Sequence, residues 1–156
     1  MVGTPPVWIP RFYGPLDTRD LNQEVPEGRV KLKLLAPLVY DSAVLERRVV
    51  VPQDFVTDLA SIPRPLWVAI PPSGRYNRAA VIHDWLYQSG VCTRMQADNA
   101  FSVAMAEDRV RSTLRYVIWS GVVVGGWVTW ARYRREEAIE VAAKSGVVDS
   151  WFVVNK

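Results

Sequence analysis

The sequence predicts an α+β protein, in which a proline-rich N-terminal arm precedes a small antiparallel β element and three helices. Five prolines fall within residues 1–28. Residues 29–51 alternate apolar and polar types, whereas apolar residues recur at spacings of three and four from residue 76 onward. We therefore divide the chain into an extended arm (1–28), one α+β domain (29–146) and a C-terminal tail or strand (147–156).

The arm combines prolines with aromatic residues. Proline restricts φ and lacks a backbone N–H, so five of them favour an extended path over a helix. Trp8, Phe12 and Tyr13 carry large rings of a kind that is enriched at interfaces. The arm can lie on its own domain or on another subunit, and we expect it to contact another subunit.

Residues 29–51 are expected to form a β-hairpin. Lysine and leucine alternate over residues 31–34, a turn is expected near Asp41 and Ser42, and the second strand over 47–51 ends before Pro52. The pattern is typical of a half-buried antiparallel pair.

An irregular segment follows over residues 54–74. A loop of this length in a small domain is usually functional or held by side-chain hydrogen bonds. Thr57, Asp58 and Ser61 are suited to bonding nearby backbone amides. Either this is a structural turn with Asp58 paired to Arg64, or it contributes to a site.

Two helices are predicted over residues 76–89 and 94–108. Gly90 interrupts the pattern between them, and Thr93 with Gln96 predicts a capping box that starts the second helix. Helices joined by so short a turn run antiparallel, so residues equally far from the turn face each other.

A third, long helical region is predicted over residues 109–145. Its uncharged centre, residues 116–131, is shorter than the roughly 20 residues needed to span a bilayer. We predict a buried core helix that bends at Gly125 and Gly126, and no transmembrane helix. A helix lying at a membrane interface is the second interpretation.

His83 is the only histidine, so any imidazole chemistry must occur there. Asp98 lies on the second predicted helix at the same level and could accept the Nδ1 proton of His83, which would orient a general base. Tyr87, one turn after His83, could reach the same carboxylate, whereas Asp84 points about 100° away and could meet another ligand, such as a cation. The alternative is a buried polar pair with a purely structural role.

Composition narrows the class of protein. Apolar residues make up 49% and charged residues 22% of the chain, as in folded proteins. Cys92 is the only cysteine, so no intrachain disulfide forms and no oxidising compartment is needed. The first residues lack the charged start and apolar run of a signal peptide, and we expect the protein in a virion or in the host cytoplasm.

The net charge of +3 comes with a strong preference for arginine, since fifteen of the nineteen basic residues are Arg. Arginine suits bidentate contact with phosphate. No recognised nucleic-acid-binding motif accompanies these residues, so we do not expect nucleic acid as a partner. Pairing of arginines with Glu136 and Glu137 on a solvated helix face is the favoured interpretation. Six arginines flank the third helix's apolar stretch: Arg109, Arg111, Arg115, Arg132, Arg134 and Arg135.

Three separated motifs carry a resemblance. They are V-P-x-x-F-x-T-D-L-A-S-I-P-R at residues 51–64, A-A-V-I-H-D-W-L-Y at 79–87, and an Ala-Asp pair at 97–98 followed by Phe101. In this order they closely resemble a small family of uncharacterised proteins encoded mainly by tailed bacteriophages and prophages. The resemblance covers roughly residues 29–135 and implies a phage origin without a settled activity.

A second resemblance concerns chemistry. His-Asp-x-x-Tyr followed by Ala-Asp-x-x-Phe is similar to the site of calcium-dependent phospholipase A2, especially its disulfide-free viral capsid form. The resemblance implies that His83 activates water, Asp98 orients His83 and Tyr87 supports Asp98. Asp84 would bind calcium together with the Asp58 loop, and calcium would polarise the ester carbonyl. The Tyr-x-Gly-x-Gly calcium loop of those enzymes is missing upstream.

Two functions therefore remain open. In the first, the protein is a virion component (a tail, capsid or connector subunit) that binds other virion subunits or further copies of itself. In the second, it is a metal-assisted hydrolase of phospholipid or another envelope ester, used against the host envelope during infection or lysis.

Overall fold

The computed structural model describes residues 7–21, 31–57 and 74–144, with side chains described up to residue 141, and it confirms the α+β class. The strands and helices of these residues are short except for the last helix. They are β1 Arg11–Tyr13, β2 Thr18–Asp20, β3 Leu32–Leu34, β4 Leu38–Ser42, β5 Arg47–Val51, β6 Val56–Thr57, α1 Asn77–Ser89, α2 Arg94–Glu107 and α3 Ser112–Lys144.

The strands form two small antiparallel sheets of three strands each, with the orders β1-β4-β5 and β2-β3-β6. A hairpin is present within residues 29–51, but its first strand is β4 and not the predicted segment at 31–34. β5 pairs with β4, and Leu38 lies opposite Val51. The turn falls at residues 43–46, directly after Ser42 and therefore close to the predicted position. Leu34 is fully buried in the second sheet, so the alternating segment at 31–34 belongs to a different pair.

The described part of the N-terminal segment is built into these sheets. β1 pairs with β4 and β2 pairs with β3. Phe12 is buried against Tyr40, with ring centroids 4.6 Å apart, and the Tyr13 hydroxyl donates to Asp41 Oδ2 at 2.7 Å. An arm separate from the domain is thus not confirmed, because β1 alternates one buried ring with two exposed residues, which is strand behaviour.

The α1–α2 turn has the predicted chemistry. Gly90 ends α1 in the left-handed region with φ 60°, where glycine is unstrained. Both capping-box bonds are present, from the Gln96 backbone to the Thr93 hydroxyl and from the Thr93 backbone to the Gln96 side chain. The two helices therefore begin and end where the sequence predicts, within a residue or so.

α3 is one continuous helix of 33 residues that includes Gly125 and Gly126. Ile118 and Val122 are buried on its inner face. Within the described residues one side of α3 packs on α1 and α2, while several apolar residues on the other side are exposed, so the predicted burial of residues 116–131 is confirmed for one side only. Within the described residues no helix is long and apolar enough to cross a membrane, as the length argument predicts.

Candidate functional site

His83 on α1 and Asp98 on α2 form a buried pair. His83 Nε2 lies 3.0 Å from Asp98 Oδ1, and the two side chains are 2% and 0% exposed. The contact predicted from antiparallel packing is confirmed, but the prediction that Nδ1 faces Asp98 was wrong. The imidazole lies between the rings of Tyr87 and Phe101, at centroid distances of 4.1 and 4.9 Å, and this packing turns its Nε2 edge to the carboxylate. Nδ1 is the ring nitrogen that Asp98 does not contact.

Asp98 accepts hydrogen bonds from three side chains. Besides His83, the Tyr87 hydroxyl donates to Oδ1 at 2.5 Å, and Arg94 Nη1 donates to Oδ2 at 3.1 Å. Burial, and then the bond to Asp98, raise the pKa of Tyr87 far above its ordinary value, so the phenol remains a donor. Arg94 supplies the positive charge that a buried carboxylate requires.

Sequence reasoning identified His83, Tyr87 and Asp98 but missed Arg94. Arg94 precedes Asp98 by one helical turn, and oppositely charged residues at this spacing lie on the same face of a helix. That signal was present in the sequence. The second contact of Arg94, from Nη1 to the carbonyl oxygen of Val123 on α3 at 3.0 Å, requires knowledge of how α3 packs.

The network reaches α3 through two further contacts. A Cβ on Gly126 would lie 2.5 Å from the Tyr87 hydroxyl oxygen, so glycine leaves the space that this hydroxyl occupies. The Trp130 indole meets the Tyr87 ring edge-on, at a centroid distance of 5.0 Å. Three helices therefore converge on one carboxylate, directly or through its donors.

Asp84 has a different partner from its neighbour His83. It is 4% exposed, and its Oδ2 accepts a hydrogen bond from the Thr57 hydroxyl on β6. This contact joins the second sheet to α1. The sequence predicts that Asp84 points away from His83, and the structure agrees, because Asp84 contacts Thr57 whereas His83 contacts Asp98.

The calcium site predicted at Asp84 and Asp58 remains a prediction. Calcium takes six to eight oxygen ligands, and in the described part of the chain Asp84 Oδ2 accepts a hydrogen bond from the Thr57 hydroxyl. Over residues 7–21, 31–57 and 74–144, no three His, Cys, Asp or Glu side chains are grouped to hold a metal ion. Asp58, the other predicted ligand, lies outside the described residues.

A second polar cluster, missed by sequence reasoning, lies where α1, α2 and the N-terminal segment meet. Arg78 on α1 forms an ion pair with Asp108 at the end of α2, donates to the Gly14 carbonyl oxygen at 3.0 Å and covers the Phe12 ring at 4.4 Å. Burial raises the pKa of Asp108 although Arg78 opposes that shift. The cluster anchors the N-terminal strands to the helices.

The protein defined by this fold and site is a small α+β domain with a closed His-Asp-Tyr-Arg network between three helices. The chain belongs to the family described as "Protein of unknown function (DUF1353)", whose pattern matches residues 32–122. The match begins at β3, includes His83, Asp84 and Asp98, and ends within α3. No curated protein and no solved structure matches the chain.

Proposed function

We propose that this protein is a virion-associated structural component of tailed phages and prophages, a tail, capsid or connector subunit, in which the His83–Asp98 network holds the helices together. One observation carries the structural role. The Asp98 side chain is 0% exposed and is occupied by His83, Tyr87 and Arg94. A closed carboxylate with three donors is suited to fixing helices, since substrate cannot reach it directly.

The contacts support a bracing role because each one crosses an element boundary. His83 to Asp98 joins α1 to α2, Arg94 to the Val123 carbonyl joins α2 to α3, and Thr57 to Asp84 joins β6 to α1. Buried polar networks whose members are satisfied favour one arrangement over competing ones. A subunit that must present a constant surface in a particle benefits from such a core.

The phage assignment rests on the three sequence motifs and their resemblance to phage and prophage proteins. It is tested with a phage or prophage that encodes this chain. Particles are banded on a density gradient and their proteins are quantified by mass spectrometry. We expect the chain at a fixed copy number per particle, and a His83→Gln variant that still folds should be incorporated equally.

The control for that experiment is a gene deletion complemented with the wild-type chain. Particles that contain no copy of the chain, and that form and infect normally after its deletion, would contradict the structural proposal.

A metal-assisted hydrolase of envelope phospholipid or another ester is the second candidate, and one observation favours it. Nε2 is the nitrogen bound to Asp98 and Tyr87 supports the same carboxylate, so Nδ1 is the nitrogen that could take a proton from water. This arrangement agrees with the roles that the phospholipase A2 resemblance implies for His83, Asp98 and Tyr87.

Fatty-acid release from phosphatidylglycerol vesicles, with and without millimolar calcium, separates the two candidates. The structural proposal predicts no release that depends on His83. The hydrolase predicts release that His83→Gln abolishes while the circular dichroism spectrum is unchanged. It also predicts that calcium raises the Tm of the wild type, and that Asp84→Asn removes this shift.

A further inference from the structure

A cleft of about 580 Å³ lies where the start of α1, the end of α2 and the segment around β2 meet. Small-molecule sites usually have volumes of about 300–1,000 Å³, so the cleft is of suitable size. Three arginines line it: Arg75 lies just before α1, Arg78 in its first turn, and Arg109 shortly after α2. Among the lining residues that the structure describes there is no aromatic ring, and none belongs to the His83–Asp98 network.

We propose that this cleft binds a small phosphate ester that also carries hydroxyl groups, such as a sugar phosphate, and that Arg75 and Arg109 hold its phosphate. A guanidinium is planar and offers paired N–H donors that match two phosphate oxygens. The site lies apart from the buried Asp98, so it is independent of whether the protein is a virion component or a hydrolase.

Arg109 occupies a backbone position that ordinarily belongs to glycine, because its φ of 58° lies in the left-handed region. The Arg109 N–H donates to the Ala106 carbonyl oxygen at 3.0 Å. The Val110 N–H donates to the Met105 carbonyl oxygen, also at 3.0 Å. These two bonds form a Schellman motif, whose left-handed residue is usually glycine, since a Cβ is strained in that conformation. An arginine here costs stability, and such strain indicates a function for the side chain.

The charges of the cleft favour an anion. Arg78 is compensated by its ion pair with Asp108. Arg75 and Arg109 are exposed, and neither guanidinium has a partner within the described part of the chain. Two free arginines against one glutamate, Glu107, leave the lining with an excess of positive charge. α1 also begins at this cleft without a side-chain cap or an acidic residue in its first turn, and a helix N-terminus carries a partial positive charge.

The acidic end of the cleft requires a hydrogen-bond donor, which a hydroxyl supplies. The Asp108 side chain is 3% exposed; its Oδ1 accepts both Arg78 bonds, whereas the buried Oδ2 has no partner in the described part of the chain. Buried polar atoms are normally paired. A neutral hydroxyl suits this position better than an ammonium group, because the Arg78 guanidinium would repel a second cation. Asn77, whose Oδ1 accepts the Gly74 N–H at 3.2 Å, keeps its amide donors for an oxygen of the same ligand.

Isothermal titration calorimetry of the full chain tests the ligand class. The probes are glycerol 3-phosphate, ribose 5-phosphate and glucose 6-phosphate, with inorganic phosphate, glycerol, ribose and glucose for comparison. We expect at least one ester to bind with a Kd below about 1 mM, and at least about tenfold tighter than inorganic phosphate, because its hydroxyls add bonds to Asp108 and Asn77. No binding of any ester at about 10 mM overturns the proposal, and so does equally tight binding of inorganic phosphate.

Charge-removing variants test the arginines. Arg75→Gln and Arg109→Gln should each weaken ester binding by about tenfold or more, since each removes a charge-assisted hydrogen bond. Arg135→Gln, at an exposed arginine of α3 outside the cleft, is the control and should bind as the wild type does. Equal weakening in all three variants would show a general attraction of anions to a basic protein and overturn the proposal.

Arg109→Gly separates a binding role from a structural one. Glycine relieves the left-handed strain, so without ligand the Tm should rise by about 2 °C, while ester binding should weaken as it does in Arg109→Gln. A lower Tm for Arg109→Gly would show that the arginine stabilises the end of α2 and would overturn the proposal. Glu107→Gln removes a carboxylate that repels the phosphate, and it should tighten binding about two- to fivefold.

The phosphates of polymers and membranes are the alternative ligands. A single-stranded oligonucleotide and phosphatidylglycerol vesicles present the same group without a free sugar phosphate. Binding of either one, weakened by Arg75→Gln while no sugar phosphate binds, would assign the arginines to that larger partner and overturn the proposal of a small ligand.

Discussion

Gly126 on α3 and the Tyr87 hydroxyl on α1 occupy adjoining space, such that a Cβ on Gly126 would lie 2.5 Å from that oxygen. The same hydroxyl donates to Asp98 at 2.5 Å. A glycine on the third helix is therefore required for a hydrogen bond between the first two. This relationship gives the first prediction.

Gly126→Ala should push the Tyr87 hydroxyl away from Asp98 and lower the free energy of unfolding by about 1–3 kcal/mol, as overpacking of a core does. Gly125→Ala is the matched control. Gly125 is exposed on the same helix, so alanine there should stabilise by up to about 1 kcal/mol through helix propensity. Urea unfolding followed by circular dichroism measures both, and equal effects of the two substitutions would contradict the role of Gly126.

Asp98→Asn should destabilise the protein by about 2–4 kcal/mol, because it leaves Arg94 without its buried counter-charge and adds an amide donor beside three existing donors. Asp17→Asn, at an exposed position in the loop before β2, should change the free energy of unfolding by less than about 0.5 kcal/mol. The two variants are compared by denaturant unfolding at neutral pH. If Asp98→Asn lowers the free energy of unfolding no more than Asp17→Asn does, then the Asp98 contacts do not hold the helices together.

Alkaline pH should weaken the fold. Burial raises the pKa of Tyr87 and of Tyr40, and nearby carboxylates raise both further: Asp98 for Tyr87, and Glu107 and Asp108 for Tyr40. The unfolded chain ionises these phenols as the pH passes about 10, whereas the folded chain keeps their protons. Stability is therefore complete below about pH 10 and is lost as the pH rises above it.

The measurement for this prediction is the urea midpoint between pH 8 and pH 12. Tyr87→Phe should make the alkaline fall shallower, while Tyr116→Phe, which alters a ring that is 68% exposed, should leave it unchanged. If the urea midpoint falls equally steeply with rising pH in the wild type and in Tyr87→Phe, then Tyr87 ionises over the same pH range in the folded and in the unfolded chain, and the prediction is wrong.

Phe12→Ala should lower the free energy of unfolding by about 3 kcal/mol, because the ring is buried against Tyr40 and under the Arg78 guanidinium. Val7→Ala, at a position that is 87% exposed, is the control and should have almost no effect.

The same reasoning predicts that deletion of residues 1–25 destabilises the domain, since β1 and β2 are lost. Differential scanning calorimetry measures the Tm of the full chain and of the deletion. A lower Tm shows that the deleted strands belong to the domain, whereas an unchanged Tm shows that they form a separate arm.

The helical part of the site could be predicted because its determinants are local. Gly90 and Thr93 set where α1 ends and α2 begins, and the helical period then places His83 opposite Asp98. The choice of ring nitrogen could not be predicted, because it depends on how Tyr87 and Phe101 pack around the imidazole.

The strand pairing was harder to predict for a physical reason. Strands of two to five residues carry too few alternations to identify their partners, and β3 pairs with segments on both sides of the β4–β5 hairpin in sequence. The role of Gly126 on α3 also depends on tertiary packing. From the sequence Gly126 is interpreted as a bend in the helix, whereas in the structure it makes room for the Tyr87 hydroxyl of α1.

The spacing of the Asp98 contacts along the chain also bears on the order of folding. Asp98 is bonded to residues 4, 11 and 15 positions away, whereas Tyr13 on β1 reaches its partner Asp41 across 28 positions. Short loops close at lower entropic cost and sooner than long ones. The α1–α2 hairpin should therefore assemble early, the N-terminal strands should join last, and amides of β1 should exchange with deuterium before those around His83.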